Sequence, residues 1–210
     1  MAIALDVKSD GGIESVGTTL TWSHTCTGTN LILVVGATKT SNDITGITYN
    51  SVALTAGPNQ APTAGNEGAQ LWFLVNPSTG ANNIVITAST TRLTGVAVSY
   101  TGAKQTGQPD SSNTGSAASA TSLSVSTTVV ASNCWLVMMT DTSAAGTSAG
   151  TGTTLREAAS DGSDLWDSNG TVGTGAQALA INATSGNLVG AIMSIAPSAD
   201  TSGKNFFLFM

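Results

Sequence analysis

No stretch of these 210 residues sustains the apolar spacing of an amphipathic helix, and β-branched residues crowd every window that approaches it. Strand patterning recurs instead. Thr18-Thr19-Leu20-Thr21-Trp22-Ser23-His24 alternates, so Leu20, Trp22 and His24 share one face of a predicted strand. Leu31-Ile32-Leu33-Val34-Val35 is a continuous apolar run, the pattern of a strand covered on both sides. Ile44 to Ala56 reads as a hairpin with Asn50-Ser51 at its tip. Further strands are predicted over Leu71–Val75, Asn83–Ala88 and Leu93–Tyr100, with punctuation at Asn76-Pro77 and Ser78-Thr79-Gly80. The expectation is an all-β chain.

Its second half echoes its first. With Leu123 set under Leu20, Asn133 falls under Asn30, Leu136 under Leu33 and Val137 under Val34. A short deletion then brings Leu165-Trp166 under Leu71-Trp72. A single-residue insertion aligns Ile181 with Ile86, Ala183 with Ala88, Leu188 with Leu93, Gly190 with Gly95 and Ser194 with Ser99. The order is kept with two gaps, which predicts a duplicated unit over about 17–103 and 120–196. Between the halves, Lys104 to Ser119 is rich in Gly, Ser, Asn and Pro and reads as a linker or long crossover. The second half alone would make a thin core. The expected architecture is therefore one jelly-roll-like β-sandwich over residues 1–197, its two sheets drawn from both halves through Greek-key connections, followed by a tail at 198–210.

Composition narrows the function. Charged residues are 9% of the chain, against a usual figure of about 25%. A net charge of −6 with only 6 Lys and Arg excludes the clustered cations that phosphate binding needs, so no nucleic-acid partner is expected. No apolar run approaches the roughly 20 residues of a membrane span. The start, Met1 to Asp6, lacks the basic and apolar regions of a secretory signal, so the expected compartment is a cytoplasm, or release from one by a route other than secretion. Cys26 and Cys134 read as two small buried hydrophobes, with a single disulfide as the open alternative. With one histidine they cannot complete a four-ligand zinc site, and no metal or cofactor is expected.

Candidate chemistry is sparse. Gly146-Thr147-Ser148-Ala149-Gly150 matches the hydrolase nucleophile-elbow pattern, but no predicted helix follows and the only histidine precedes it. His24 ends an alternating strand, and the sequence nominates no partner for it as a general base. Asp161, Asp164 and Asp167, with Glu157, lie in a turn-like stretch where oxygen ligands for calcium are one reading and solvated loop acids the other. Asn182-Ala183-Thr184 is a glycosylation sequon. Trp22 and Trp135 lie in predicted core strands, and Trp72 and Trp166 occupy matched places in the repeat. Packing is the expectation for all four, with a sugar-stacking platform as the alternative. No catalytic residue is assigned.

Three of the four Phe fall in the last five residues, Phe206, Phe207, Leu208, Phe209 and Met210, behind the polar spacer Ser198–Lys204. Such a peg either folds back onto its own sandwich or docks into a neighbouring subunit as a strand or plug. These five are the candidate partner-binding residues.

Leu20-Thr21-Trp22-Ser23-His24, Asn30 to Gly36, Leu71 to Pro77 and Ala97 to Ala103 resemble a broad group of Ser/Thr/Gly-rich β-sandwich domains, found in tailed-phage virion proteins and some bacterial surface proteins. The resemblance spans roughly residues 16–197 and its motifs are structural. It implies a non-enzymatic component of the particle exterior: a capsid decoration, head-fibre or tail accessory protein. Such a protein would be assembled in the host cytoplasm and released by lysis. The implied partners are further copies of itself and other virion proteins, with a host-surface glycan as a further contact. A carbohydrate-binding module of adhesin type is the alternative.

Overall fold

Each half of the molecule is organised by a pair of long strands that bend back over their own sheet. The computed structural model describes residues 1–39, 44–62, 67–144, 146–159 and 162–199. In it β1 (Ala4–Cys26) and β7 (Gly80–Thr101) pair antiparallel end to end, from Ala4 opposite Thr101 to Cys26 opposite Gly80. Both far exceed the usual strand length of about 5–6 residues. Register shifts between Asp10 and Thr19 break the ladder midway, and bulges of this kind bend a strand. The bend brings the two arms of β1 face to face, so that Trp22 Nε1 donates to Ser9 Oγ at 3.0 Å.

The other strands of this sheet attach to one arm or the other. β2 (Ile32–Lys39) lies on the late arm of β7, with β6 (Ala69–Val75) and then β5 (Thr55–Gln60) beyond it. β3 (Ile44–Tyr49) lies on the early arm, with β4 (Val52–Ala53) outside it.

The second sheet is built from β8 (Ser111–Val129), β9 (Trp135–Thr142), β10 (Ser148–Ala149), β11 (Thr154–Ala158), β12 (Asp164–Asp167) and β13 (Gly175–Ile195). Its pairings follow the first sheet's pattern. β8 runs along β13, β9 lies on the late arm of β13, β10 lies on its early arm, and β12 and β11 follow β9. The register agrees as well. Leu20 faces Ile86 and Leu123 faces Ile181; Leu33 faces Ser99 and Leu136 faces Ser194; Val35 faces Trp72 and Met138 faces Trp166. The turns into β2 and β9 both place an asparagine in the left-handed region, Asn30 at 51° and Asn133 at 61°. Asparagine is enriched there because its short side chain tolerates that backbone.

Three cores result. One face of the central strands, with Ile32, Val34, Leu71, Phe73, Val96 and Val98, packs on Val137, Met139, Leu165, Val189 and Met193 of the other sheet. The opposite face of the first sheet, with Leu33, Val35, Trp72 and Ala97, is covered by that sheet's own folded-over arm through Leu20, Trp22, Ile47, Ile84 and Ile86. The second sheet does the same with Leu136, Met138 and Trp166 against Leu123, Val125, Leu179 and Ile181. β2 and β9 thus have a layer on each side, which is why both open on unbroken apolar runs, Ile32–Val35 and Trp135–Met139. The molecule is all-β, two antiparallel sheets packed as a sandwich, with no helix among the described residues.

Close packing of the folded arms explains the matched glycines. A Cβ on Gly95 would lie 2.7 Å from the Trp22 ring and 2.8 Å from Ile86 Cδ1. On Gly190 it would lie 3.0 Å from Val125 and 3.2 Å from Leu123. Gly95→Ala is therefore expected to destabilise the chain by about 1–3 kcal/mol, the usual cost of overpacking. Urea unfolding would measure it, and an unchanged midpoint would mean the arms do not meet there.

Several expectations are corrected. Asn83–Ala88 and Leu93–Tyr100 are one strand rather than two. The turn at Asn50-Ser51 forms as expected, with φ of 49° and 64°, but β4 is only two residues long and the chain then leaves to pair with β6. Of the expected linker Lys104–Ser119, everything from Ser111 onward belongs to β8, because side chains too small to carry a strand signal still pair through their backbone. Each sheet is drawn from one half, not from both, and both begin before positions 17 and 120.

Candidate functional site

The bend in β1 gathers the chain's single histidine into a directed hydrogen-bond chain. Trp22 Nε1 donates to Ser9 Oγ at 3.0 Å. Ser9 Oγ lies 2.8 Å from His24 Nδ1, and His24 Nε2 lies 3.1 Å from Ser99 Oγ. Ser99 Oγ donates to Asp6 Oδ2 at 2.7 Å. Only one assignment satisfies every group: Ser9 donates to Nδ1, and Nε2–H donates to Ser99. The imidazole is then neutral. Burial pushes its pKa down to about 4, against an opposing pull from the Asp6 charge.

The group holds a serine, a histidine and an aspartate but is wired unlike a hydrolytic triad. The carboxylate binds the serine hydroxyl, not the imidazole, and Ser99 is fully buried. A base with a pKa near 4 takes up protons poorly at neutral pH. Asp6 also accepts from Thr27 N at 2.9 Å and from the Thr27 hydroxyl, fastening the start of β1 to the turn after its end.

The second half repeats this fastening without an imidazole. Asp110 accepts from Val130 N at 2.8 Å, Ala131 N at 3.0 Å and Ser194 Oγ at 3.2 Å. Ser194 Oγ lies 2.9 Å from Ser111 Oγ, to which Thr127 Oγ1 donates at 3.0 Å. Thr127 faces inward in the second half as His24 does in the first. Asp6, Ser9 and Ser99 were not legible as partners of His24, since Ser99 lies 75 residues away. The one available signal was the alignment of Ser99 with Ser194.

The acids of β12 are not solvated loop residues. Asp167 is fully buried and takes Arg156 Nε at 2.6 Å, Tyr100 Oη at 2.9 Å and Asn169 N at 2.8 Å. The Arg156 guanidinium also lies 5.9 Å from the centre of the Trp135 ring, which meets Tyr100 edge to face at 5.7 Å. This clasp joins β7 of the first sheet to β9, β11 and β12 of the second. Burial, and then the Asp167 charge, hold the Tyr100 hydroxyl well above the ordinary tyrosine range. Asp164 is also buried and accepts from Thr147 Oγ1 at 2.5 Å, whereas Glu157 lies 3.5 Å from Lys8 Nζ. Asp161 lies outside the described residues. Among those described, no three His, Cys, Asp or Glu side chains converge as a metal site.

The remaining candidates disperse. Ser148 sits on β10 opposite Asn182, with a turn and a strand after it rather than a helix. Asn182 and Thr184 of the sequon lie within β13. Both cysteines are buried and unpaired, and burial raises their pKa, that of Cys134 to about 12, so neither is a ready thiolate. All four tryptophans are buried. Trp166 Nε1 donates to Thr140 Oγ1 at 2.8 Å, while Trp72 Nε1 finds no acceptor among the described residues, Ala37 holding the corresponding place. Phe206, Phe207, Leu208, Phe209 and Met210 lie outside the described residues. The last described residues line an open groove of about 700 Å³, with Met1, Ala2, Ala131, Pro197 and Ala199 among its walls. No described helix is long and apolar enough to cross a membrane.

Comparison with protein-family models, with curated proteins and with solved structures gave no match.

Proposed function

We propose that this chain is a non-enzymatic structural protein on the exterior of a tailed-phage particle, as a decoration, head-fibre or tail accessory subunit. The observation that carries its non-catalytic character is the recurrence of the Asp6 fastening around Asp110 with threonine in place of histidine. An imidazole that a hydroxyl can replace in the same role is there to pack and to bond. The two sheets are read as a duplicated, jelly-roll-like unit, supported by their common pairing order and register. A surface poor in charge and rich in hydroxyls suits many weak contacts repeated over a symmetric lattice, where avidity supplies the strength. Phe206–Met210 is the peg for a neighbouring subunit. A sugar-binding role would have to rest on polar ground such as the groove of Thr48, Asn50, Asn82 and Asn83, because no tryptophan offers an open face.

Mass spectrometry of purified particles tests the assignment: the chain should be present in many copies, and absence from the particle rejects it. Deleting Asn205–Met210 should leave the fold intact and abolish assembly. An unfolded truncation would return the peg to the chain's own core.

A further inference from the structure

β1 and β8 hold equivalent places, each lying along one long partner at the end of its sheet. Among the described residues β1 pairs only with β7, and β8 only with β13. A strand in that position presents a row of backbone donors and acceptors to any strand that approaches, and proteins guard such edges with charge. The two edges are guarded very differently.

On β1 the early arm carries Lys8 and Asp10, both exposed. Lys8 also ties that edge down within the chain: its Nζ donates to Arg156 O at 2.8 Å and lies 3.5 Å from Glu157 on β11. On β8 the places of Lys8 and Asp10 are taken by Ser112 and Thr114, judged from the matching of Asp6 with Asp110. β5 lies against β8 but contributes no charged residue, and the uncharged bulge of Gly57 and Pro58 stands where β11 has Glu157. From Ser111 to Val129 the strand contains no charged residue and no proline. Over the early arm Ser112 and Ser116 are small and exposed, so neither side chain holds another backbone away.

We infer that the edge of β8 over Ser111–Ala117 joins two copies of this chain, strand to antiparallel strand, in a two-fold symmetric pair. This rests on the assembly half of the function proposed above and gives it a surface and a partner. A two-fold axis through the edge sets the same residues against one another, so the partner needs no complementary patch of its own. The bonding is that of strand addition, with backbone groups supplying the affinity.

Sedimentation equilibrium of the full chain should show a concentration-dependent dimer. Ser112→Lys with Ser116→Lys sets like charges against each other across the axis. At several kcal/mol of repulsion the dimer should weaken on the order of 100-fold or more. Both positions are exposed, so the melting temperature should hold. Hydrogen exchange on the unmodified chain reads the same edge without a variant: amides of Ser111–Ala117 should slow with rising concentration, and those of the β1 arm should not. A wild-type monomer throughout the accessible range overturns the inference and leaves the virion assignment to particle mass spectrometry. Association unaffected by the lysines overturns it too. If that association is lost on deleting Asn205–Met210, the peg takes over as the assembly contact.

Discussion

Replacing Arg156 with alanine should cost about 3–5 kcal/mol, among the largest effects of any single change to this molecule. Asp167 is fully buried and, among the described residues, Arg156 is its only cationic partner, at 2.6 Å. Without the guanidinium the carboxylate keeps Tyr100 and the Asn169 amide, two neutral donors facing a full charge in a site closed to water. The Trp135 ring also loses the cation stacked beside it. For a chain of this size the loss corresponds to a fall in melting temperature on the order of 10 °C.

Removing both charges together should be far milder. Arg156→Met with Asp167→Leu leaves no orphaned ion, so the double variant should recover much of the loss of either single one. A double-mutant cycle followed by thermal unfolding measures this coupling. Additive losses would mean that the pair does not act as a unit, and that hydrophobic packing alone holds the sheets together here.

Acidification should produce the second large effect, through His24. Its folded pKa of about 4 lies below the ordinary 6.5, so between these values the unfolded chain binds a proton that the folded chain refuses. Stability from this group is complete above about pH 6.5 and is lost as the pH falls toward 4. The gap, at about 1.4 kcal/mol per pH unit, amounts to about 3 kcal/mol. The hydrogen-bond chain shows the structural reason: a second ring proton would sit on Nδ1, where Ser9 already points its own. His24→Thr, which copies Thr127, removes the titrating group while other acids titrate as before. The difference in stability between wild type and variant, followed by urea unfolding from pH 7 to 4, should shrink by that amount. A constant difference would place the imidazole in water.

Strand placement was largely readable because it depends on local chemistry. Leu31–Val35 and Leu71–Val75 are apolar on both sides, and the structure gives each of them a layer on both sides. The asparagines at 30 and 133, the turn at Asn50-Ser51 and the glycines at 95 and 190 also carried their meaning in residue type, since each answers to a backbone or packing demand that few residues satisfy. The early arms of β1 and β8 left no such trace. Ser111–Ala117 has the composition of a linker and is a strand only because β13 lies beside it.

Residue order alone therefore determined that the chain is all-β and where most strands run. Tertiary structure decided that each half curls its own sheet over itself, that His24 is bonded into a relay with Ser9, Ser99 and Asp6, and that Arg156, Asp167 and Tyr100 close the space between the sheets. The division has a physical cause. Strand preference and turn chemistry act over a few neighbouring residues, whereas a buried polar group is satisfied by whatever the fold brings within 3 Å, and those partners lie tens of residues away in the chain.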